Sequence, residues 1–541
     1  MSALYFGDNL QVLRDEIKDE SVDLVYLDPP FNSNANYNLL FKSPKGQSSS
    51  AQIEAFEDTW HWGEQAEQEF GELIRNSNTD VSEMVQALRR FLGENDMMAY
   101  LTMMANRLME LHRVLKDTGS LYLHCDPTAS HYLKIVLDGV FGKENFRNEI
   151  IWQRTSSKGD AKNKFGAVHD TILYYVKTDQ AVMQPIYAEK DDEYFSRFRL
   201  DDNDGRGTYR LAPLDSPNPR PNLTYEYKGY QPPAKGWRVN LDLMQKLDSD
   251  GRLHFPKDKE GRISRKHYLA EQEGRKVSDV WADIAPLQAV SAERLGYPTQ
   301  KPLALLTRIL NASTKDGDVV LDPFCGCGTA VHAAEKLKRK WVGIDITHLA
   351  ISLIEKRLRD AFPQIKFEVH GTPTDIEGAR NLATRDKYQF QWWACSLVNA
   401  QPFGGKKKGA DGGIDGLIYF QDDEKTIGKI VVSVKGGDNV NVAMVRDLAH
   451  VIAREKAQLG LFVTLAEPTR PMKDEAVKEG YYESPLIKKA FPKLQILTIA
   501  GLINGTERPN YPELGRGGLT FKKAKREDEN ASQTSLFGND K

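Results

Sequence analysis

The sequence predicts an α/β protein with two sheet-bearing domains. Short apolar strand candidates alternate with helical patterns from Met1 to about Gly371, two of these strands run straight into acidic Pro/Gly turns, and the strand–helix grammar restarts after Thr372. At 541 residues the chain is too long for one ordinary domain, so two to four units with their own cores are expected. The net charge of −3 gives no global basic footprint, and an anionic partner would have to be met by local patches. The four cysteines, Cys125, Cys325, Cys327 and Cys395, form no CxxC pair. With no charged-then-apolar leader and no apolar run of membrane-spanning length, this reads as a reduced cytoplasmic chain.

In chain order, Gly7-Asp8-Asn9 reads as a turn with a helix cap. The run Val22, Leu24, Val25, Leu27 closes on Asp28-Pro29-Pro30-Phe31, which sets a carboxylate, a rigid turn and a ring at a strand end. The apolar spacing from Asp96 to Leu115 predicts a helix against the sheet, with Asp96 as its cap. Strands are expected at Leu121–His124 and Thr171–Val176, and His169-Asp170, which could suggest acid/base work, reads as a turn or a core histidine. Between about Gln184 and Asp279 the pattern gives way to charged, aromatic and proline-rich text, the mark of an insertion on the sheet.

Further on, Tyr297-Pro298-Thr299-Gln300-Lys301-Pro302 leads into a helix, and the strand Val319, Val320, Leu321 opens into Asp322-Pro323-Phe324-Cys325-Gly326-Cys327-Gly328-Thr329. A glycine loop there lets backbone approach a ligand, and the alanine-rich helix Thr329–Leu337 packs closely on the sheet. The next strand ends in Asp345, whose carboxylate either accepts the two hydroxyls of a ribose or caps the helix Thr347–Leu358; the glycine loop before it favours the ribose. After Thr372 come a helix through Trp392 and Trp393 and strands near Leu417–Phe420 and Ile430–Val434. Residues 508–541 are polar and expected to be a disordered tail.

The Asp28-Pro29-Pro30-Phe31 element and the loop Asp322 to Thr329, in that order, resemble the permuted β class of DNA amino-methyltransferases. The resemblance implies a Rossmann-like S-adenosylmethionine-dependent methyltransferase sheet over residues 1–371, with residues 184–279 as the inserted target-recognition region and double-stranded DNA as partner, hence a nucleoid-associated protein. It assigns catalysis to Asp28, Pro29, Pro30 and Phe31. Cofactor contact falls to Asp8, Gln300, Lys301, Asp322, Phe324, Gly326, Gly328, Thr329 and Asp345. An exocyclic base amine is a poor nucleophile, so acceptors at Asp28 and the Pro29 carbonyl would hold its hydrogens, while Phe31 stacks on the extruded base. Asp rather than Ser at position 28 resembles the adenine-N6 enzymes, with cytosine-N4 as the alternative. In the insertion, Arg197, Arg199, Arg206, Arg210, Tyr225, Tyr227, Lys228, Tyr230, Lys235, Trp237 and Arg238 suit phosphate and base contact.

The segment Gly409 to Gly416, followed by Val431-Val432-Ser433-Val434-Lys435, resembles the Mrr-like branch of the PD-(D/E)xK nucleases and implies such a domain over residues 372–507. Those enzymes hold magnesium and activate water with an aspartate and an acidic or Gln-x-Lys pair. Asp415 and Lys435 match, Ser433 departs from the usual Glu or Gln, and Asp411 stands nearby as a compensating carboxylate. Both a working nuclease with Mg2+ on Asp415, making a fused restriction-modification enzyme, and a fold kept for DNA contact are open at this point. Gln533-Thr534-Ser535-Leu536-Phe537 resembles the peptide by which bacterial proteins dock on the replication sliding clamp, through Gln533, Leu536 and Phe537.

Overall fold

The computed structural model describes residues 2–30, 36–42, 48–57, 61–75, 78–156, 163, 165–288, 291, 293–295, 297, 299–403, 412–423, 426–512, 519–521 and 523–527; side chains of 36–57 are not described. Phe31, Asp411, Gln533, Leu536 and Phe537 lie outside the described residues.

Nine strands form the first sheet: β1 (Ala3–Phe6), β2 (Val22–Leu27), β3 (Leu115–Cys125), β4 (Phe146–Gln153), β5 (His169–Val176), β6 (Val280–Trp281), β7 (Val319–Asp322), β8 (Lys340–Asp345) and β9 (Glu368–His370). Their order is β6-β4-β5-β3-β2-β7-β8-β1-β9. β5 runs antiparallel to both of its neighbours, while the pairs β2–β3, β2–β7, β7–β8, β8–β1 and β1–β9 are parallel. Val22, Leu24, Val25 and Leu27 of β2 and Val320 and Leu321 of β7 are buried on both faces, as a covered parallel sheet requires.

Five helices of this part bear on the site: α1 (Asn9–Asp15), α2 (Asp96–Val114), α3 (Leu303–Ser313), α4 (Thr329–Lys336) and α5 (His348–Ala361). The expected helix at Asp96 forms, but its cap is Asn95, whose side chain accepts the Met98 N–H at 2.9 Å. α2 buries Met98, Leu101, Met104, Leu108 and Leu111 in the same core as Leu13, Val25 and Leu121.

Residues Pro185–Ser278 form a compact unit of their own. It holds an antiparallel sheet of Tyr209–Pro213, Ser264–Tyr268 and Leu253–His254. Tyr227, Tyr230 and Trp237, read from sequence as base contacts, are instead its core, packed with Leu214, Met244 and Ile263. A small unit has few other large apolar side chains to bury, and the polar tips are satisfied internally: Trp237 Nε1 donates to the Tyr225 carbonyl at 2.8 Å and the Tyr227 hydroxyl to Asp248 at 2.7 Å. Lys228 pairs with Asp248, and Arg206 with Asp204 at 2.5 Å.

The second sheet comprises β10 (Gln401–Pro402), β11 (Gly416–Gln421), β12 (Ile427–Lys435), β13 (Leu459–Thr464) and β14 (Leu494–Thr498), in that spatial order. Its faces are covered by α6 (Lys387–Leu397) and α7 (Val442–Arg454), which lie in separate apolar clusters. The expectation of a disordered tail from 508 onward is corrected for residues 519–521 and 523–527. β10 pairs only with Gly416 and Leu417 of β11, which leaves the Tyr419 amide open, and the Thr520 hydroxyl accepts it at 3.0 Å. Glu527 then meets His332 and Lys336 of α4 at 3.2 and 2.9 Å. Among the described residues no helix is long and apolar enough to cross a membrane.

Candidate active site

The adjacent parallel strands β2, β7, β8 and β1 end at one edge of the sheet, and each brings a carboxylate there: Asp28 just after β2, Asp322 closing β7, Asp345 closing β8, and Asp8 just after β1. All four line one cavity together with Gly7, Asn9, Tyr26, Pro29, Pro30, Arg107, Tyr297, Lys301, Phe324, Gly326 and Thr329. Ligands of open α/β sheets sit in such a crevice beyond the carboxyl ends of the strands.

Asp28 Oδ2 is held by Lys301 Nζ at 2.5 Å. Its other oxygen, Oδ1, is buried and has no hydrogen-bond partner among the described residues. A buried acceptor left open is costly, and at a cavity wall it marks a place for a donor from a ligand. Asp322 is 3% exposed; burial pushes its carboxyl up to about 8, against the pull of the Phe324 N–H, with Asp28 and Asp345 adding to the rise. Burial also raises Asp345 to about 6, opposed by the N–H and hydroxyl of Thr347 and the Gly326 N–H. Thr347, not Asp345, caps α5 by accepting the Ala350 N–H, and Asp345 fastens the glycine loop through Gly326 N at 2.9 Å.

The cations facing this cluster are Lys301 and Arg107, and Arg107 is already committed to Asp8 at 3.0 Å and to Asn9 Oδ1 at 2.6 Å. Buried carboxylates raised in this way favour a cationic guest, so the donor set fits S-adenosylmethionine, a sulfonium and ammonium ligand with a diol.

Two residues assigned to cofactor contact are placed elsewhere. Gln300 spends its amide inside its own loop, accepting Leu295 N and donating to the Glu293 carbonyl, both at 2.8 Å, and does not line the cavity. Gly328 has φ +74° at the start of α4 and also lies off the cavity; a Cβ there would come within 2.8 Å of Ile354, so its smallness serves helix packing. Asp8 combines both readings, capping α1 through Leu10 N and Gln11 N while lining the cavity. Lys301, assigned to cofactor contact, has its ammonium on Asp28.

Arg107 and Tyr26 were not singled out from the sequence. A basic residue on the apolar face of α2 was the available signal for Arg107, which is 5% exposed. Tyr26 starts a buried chain: its hydroxyl meets His124 Nδ1 at 3.0 Å, His124 Nε2 meets Asp170 at 3.1 Å, and Arg154 lies 3.2 Å from Asp170. Asp170 is thereby a core residue, with His124 of β3 as its partner, whereas His169, read from sequence as a turn or core histidine, opens β5 half-buried.

In the second domain Asp415 is 9% exposed and both its oxygens are taken. Oδ1 accepts Gln391 Nε2 at 2.6 Å, and Oδ2 accepts Val434 N at 2.6 Å and the Ser433 hydroxyl at 3.3 Å. Lys435 ends β12 beyond it. Among the described residues no group of three or more His, Cys, Asp or Glu could hold a metal. Ser433 presents a hydroxyl where magnesium would take a carboxylate or amide oxygen, and Asp411 lies outside the described residues.

A DNA methylase family model of the N6/N4 type matches residues 22–356, and a restriction endonuclease model matches residues 382–485. The type II methyltransferase M.EcaI of Enterobacter cloacae is 35% identical over 261 residues, covering 48% of this chain and 57% of that protein. The type III restriction-modification enzyme StyLTI Mod subunit of Salmonella typhimurium is 26% identical, covering 62% of this chain and 50% of that protein. The chain thus spans about half the length of these two relatives. The DNA adenine methyltransferase YhdJ of Escherichia coli is 25% identical over 65% of this chain and 81% of its own length. Among solved structures, the cytosine-N4-specific PvuII DNA methyltransferase aligns with a TM-score of 0.32 and 13% identity over 68% of this chain and 89% of that one, values too low to transfer any residue's role.

Proposed function

We propose that the protein, which belongs to the DNA methylase family, methylates the exocyclic amine of a base extruded from duplex DNA, adenine at N6, with S-adenosylmethionine as donor. The observation that carries this reading is the divided state of Asp28, which lines the cavity with Asp345 and the glycine loop: one oxygen is fixed by Lys301, and the other is buried without a hydrogen-bond partner among the described residues. The cofactor supplies an activated methyl group when bound.

The chain's own residues do the positioning. Lys301 keeps Asp28 from rotating, so Oδ1 can accept an amine hydrogen more strongly as the nitrogen turns tetrahedral and acidic. Pro29 and Pro30 line the same cavity and contribute no N–H to compete for the amine. Asp345 and the loop amides set the nucleoside end of the donor, which aligns methyl and nitrogen for direct transfer. Phe31 would stack on the extruded base. Gln533, Leu536 and Phe537 remain a proposed clamp contact, independent of catalysis.

Cleavage by the second domain draws no support from Asp415, whose oxygens are filled by Gln391, Ser433 and Val434. The domain serves the methylase in this reading, and fused restriction-modification falls behind it.

Mass spectrometry of nucleosides from DNA incubated with the full chain and labelled S-adenosylmethionine tests the assignment. Label in N6-methyladenine is expected; label confined to N4-methylcytosine would move the substrate to cytosine, and no label on either amine would end the reading.

A further inference from the structure

The DNA methylase match ends at residue 356, yet a side chain of the second domain packs in one cluster with two residues of the candidate cofactor cavity's wall. Trp392 of α6 is 2% exposed and packs in one apolar cluster with Tyr297, Cys327 and Leu349. Tyr297 and Cys327 line the cavity, and the Tyr297 ring lies so close over Gly326 that a Cβ there would come within 3.2 Å of it. Trp392 therefore backs the ring that covers the glycine loop. One turn earlier on the same helix, Gln389 Oε1 accepts His348 N at 3.0 Å and fixes the start of α5, next to the cavity residues Asp345 and Thr347.

The neighbouring residues of α6 look the other way. Phe390, Trp393, Ala394 and Cys395 belong to the second domain's own core, so Trp392 and Trp393, a helical step of about 100° apart, serve two different bodies. A helix apolar on both sides is a helix shared between two cores. A second brace comes from Glu527, which holds His332; His332 Nδ1 accepts Arg357 Nε at 3.2 Å, and Arg357 donates to the Cys327 carbonyl at 2.9 Å.

We propose that the restriction-endonuclease-like domain is a working wall of the cofactor pocket, with Trp392 as the positioning residue that holds Tyr297 and the glycine loop in their binding geometry. The domain's fold is kept because it sets cofactor affinity, whatever it does to DNA. This rests on the reading that the cavity takes S-adenosylmethionine.

The test is calorimetric titration of S-adenosylmethionine into the full-length protein and three variants, with methylation rate and thermal melting followed alongside. Trp392→Ala should weaken binding about tenfold, equivalent to about 1.4 kcal/mol, with kcat at saturating cofactor within about twofold of wild type. Trp392→Phe should recover most of the affinity. Leu382→Ala, which empties the same domain's core away from the cavity, should lower the melting temperature and leave affinity unchanged. Wild-type affinity in Trp392→Ala, or equal weakening in Leu382→Ala, would overturn the proposal. Failure of the wild-type protein to bind the cofactor would instead remove the reading beneath it.

Discussion

Asp28 follows a strand directly and Asp415 directly precedes one, each in a methylase- or nuclease-like motif, and the protein treats them in opposite ways. Asp28, in the lining of a cavity, has one oxygen pinned by Lys301 and one buried without a partner among the described residues. Asp415 has both oxygens filled by an amide, a backbone N–H and a hydroxyl. Burial alone therefore does not separate a functional carboxylate from a structural one. The separating property is whether lone pairs remain and where they point: an open acceptor costs stability and needs a ligand to offset it, whereas a saturated one contributes to the fold.

Replacing the pinning charge should blur the contrast most strongly. In Lys301→Met, Asp28 Oδ2 loses the ammonium at 2.5 Å that keeps the carboxylate from rotating, so the rate of methyl transfer at saturating cofactor should fall about tenfold. A rate unchanged from wild type would mean that Lys301 does not position Asp28.

A smaller effect concerns the neighbours of Asp28. Asp322 at about 8 and Asp345 at about 6 stand above their ordinary value of 3.8. Below pH 3.8 both are neutral folded or unfolded and neither weighs on stability. From there up to about pH 8 the folded chain retains protons that the unfolded chain has released, so their contribution to stability is lost as pH rises through the folded values. A bound sulfonium lowers both values and reduces that loss. The gain in melting temperature on adding S-adenosylmethionine should therefore be larger at pH 8 than at pH 5, and a gain greatest at pH 5 would contradict this electrostatic account.

What was legible in the sequence was local. The apolar runs before Asp28 and Asp322 are contiguous, and the carboxylate each one delivers follows it directly, so the strand ends and their chemistry could be read together. Contacts across the sheet were not legible: Lys301 lies 273 positions from Asp28, and only the parallel order of β2, β7 and β8 brings them together. Arg107 and Asp8 met the same obstacle. The aromatics of the insertion were misread because tyrosine and tryptophan serve both base stacking and core packing, and Trp237 at 1% exposure is core. Trp392 and Trp393 read as a helix, but which body each ring faces is set by packing that the pattern does not carry.

The most direct test sets the two aspartates side by side. Asp28→Asn and Asp415→Asn, each in the full chain, are assayed for methyl transfer to DNA at saturating S-adenosylmethionine, with cofactor binding measured in the same preparations. Asp28→Asn should bind the cofactor normally and lose about 10²- to 10³-fold in rate, while Asp415→Asn should transfer methyl within about twofold of wild type. A full rate in Asp28→Asn, or an equal loss in both variants, would contradict the assignment of catalysis to the open carboxylate.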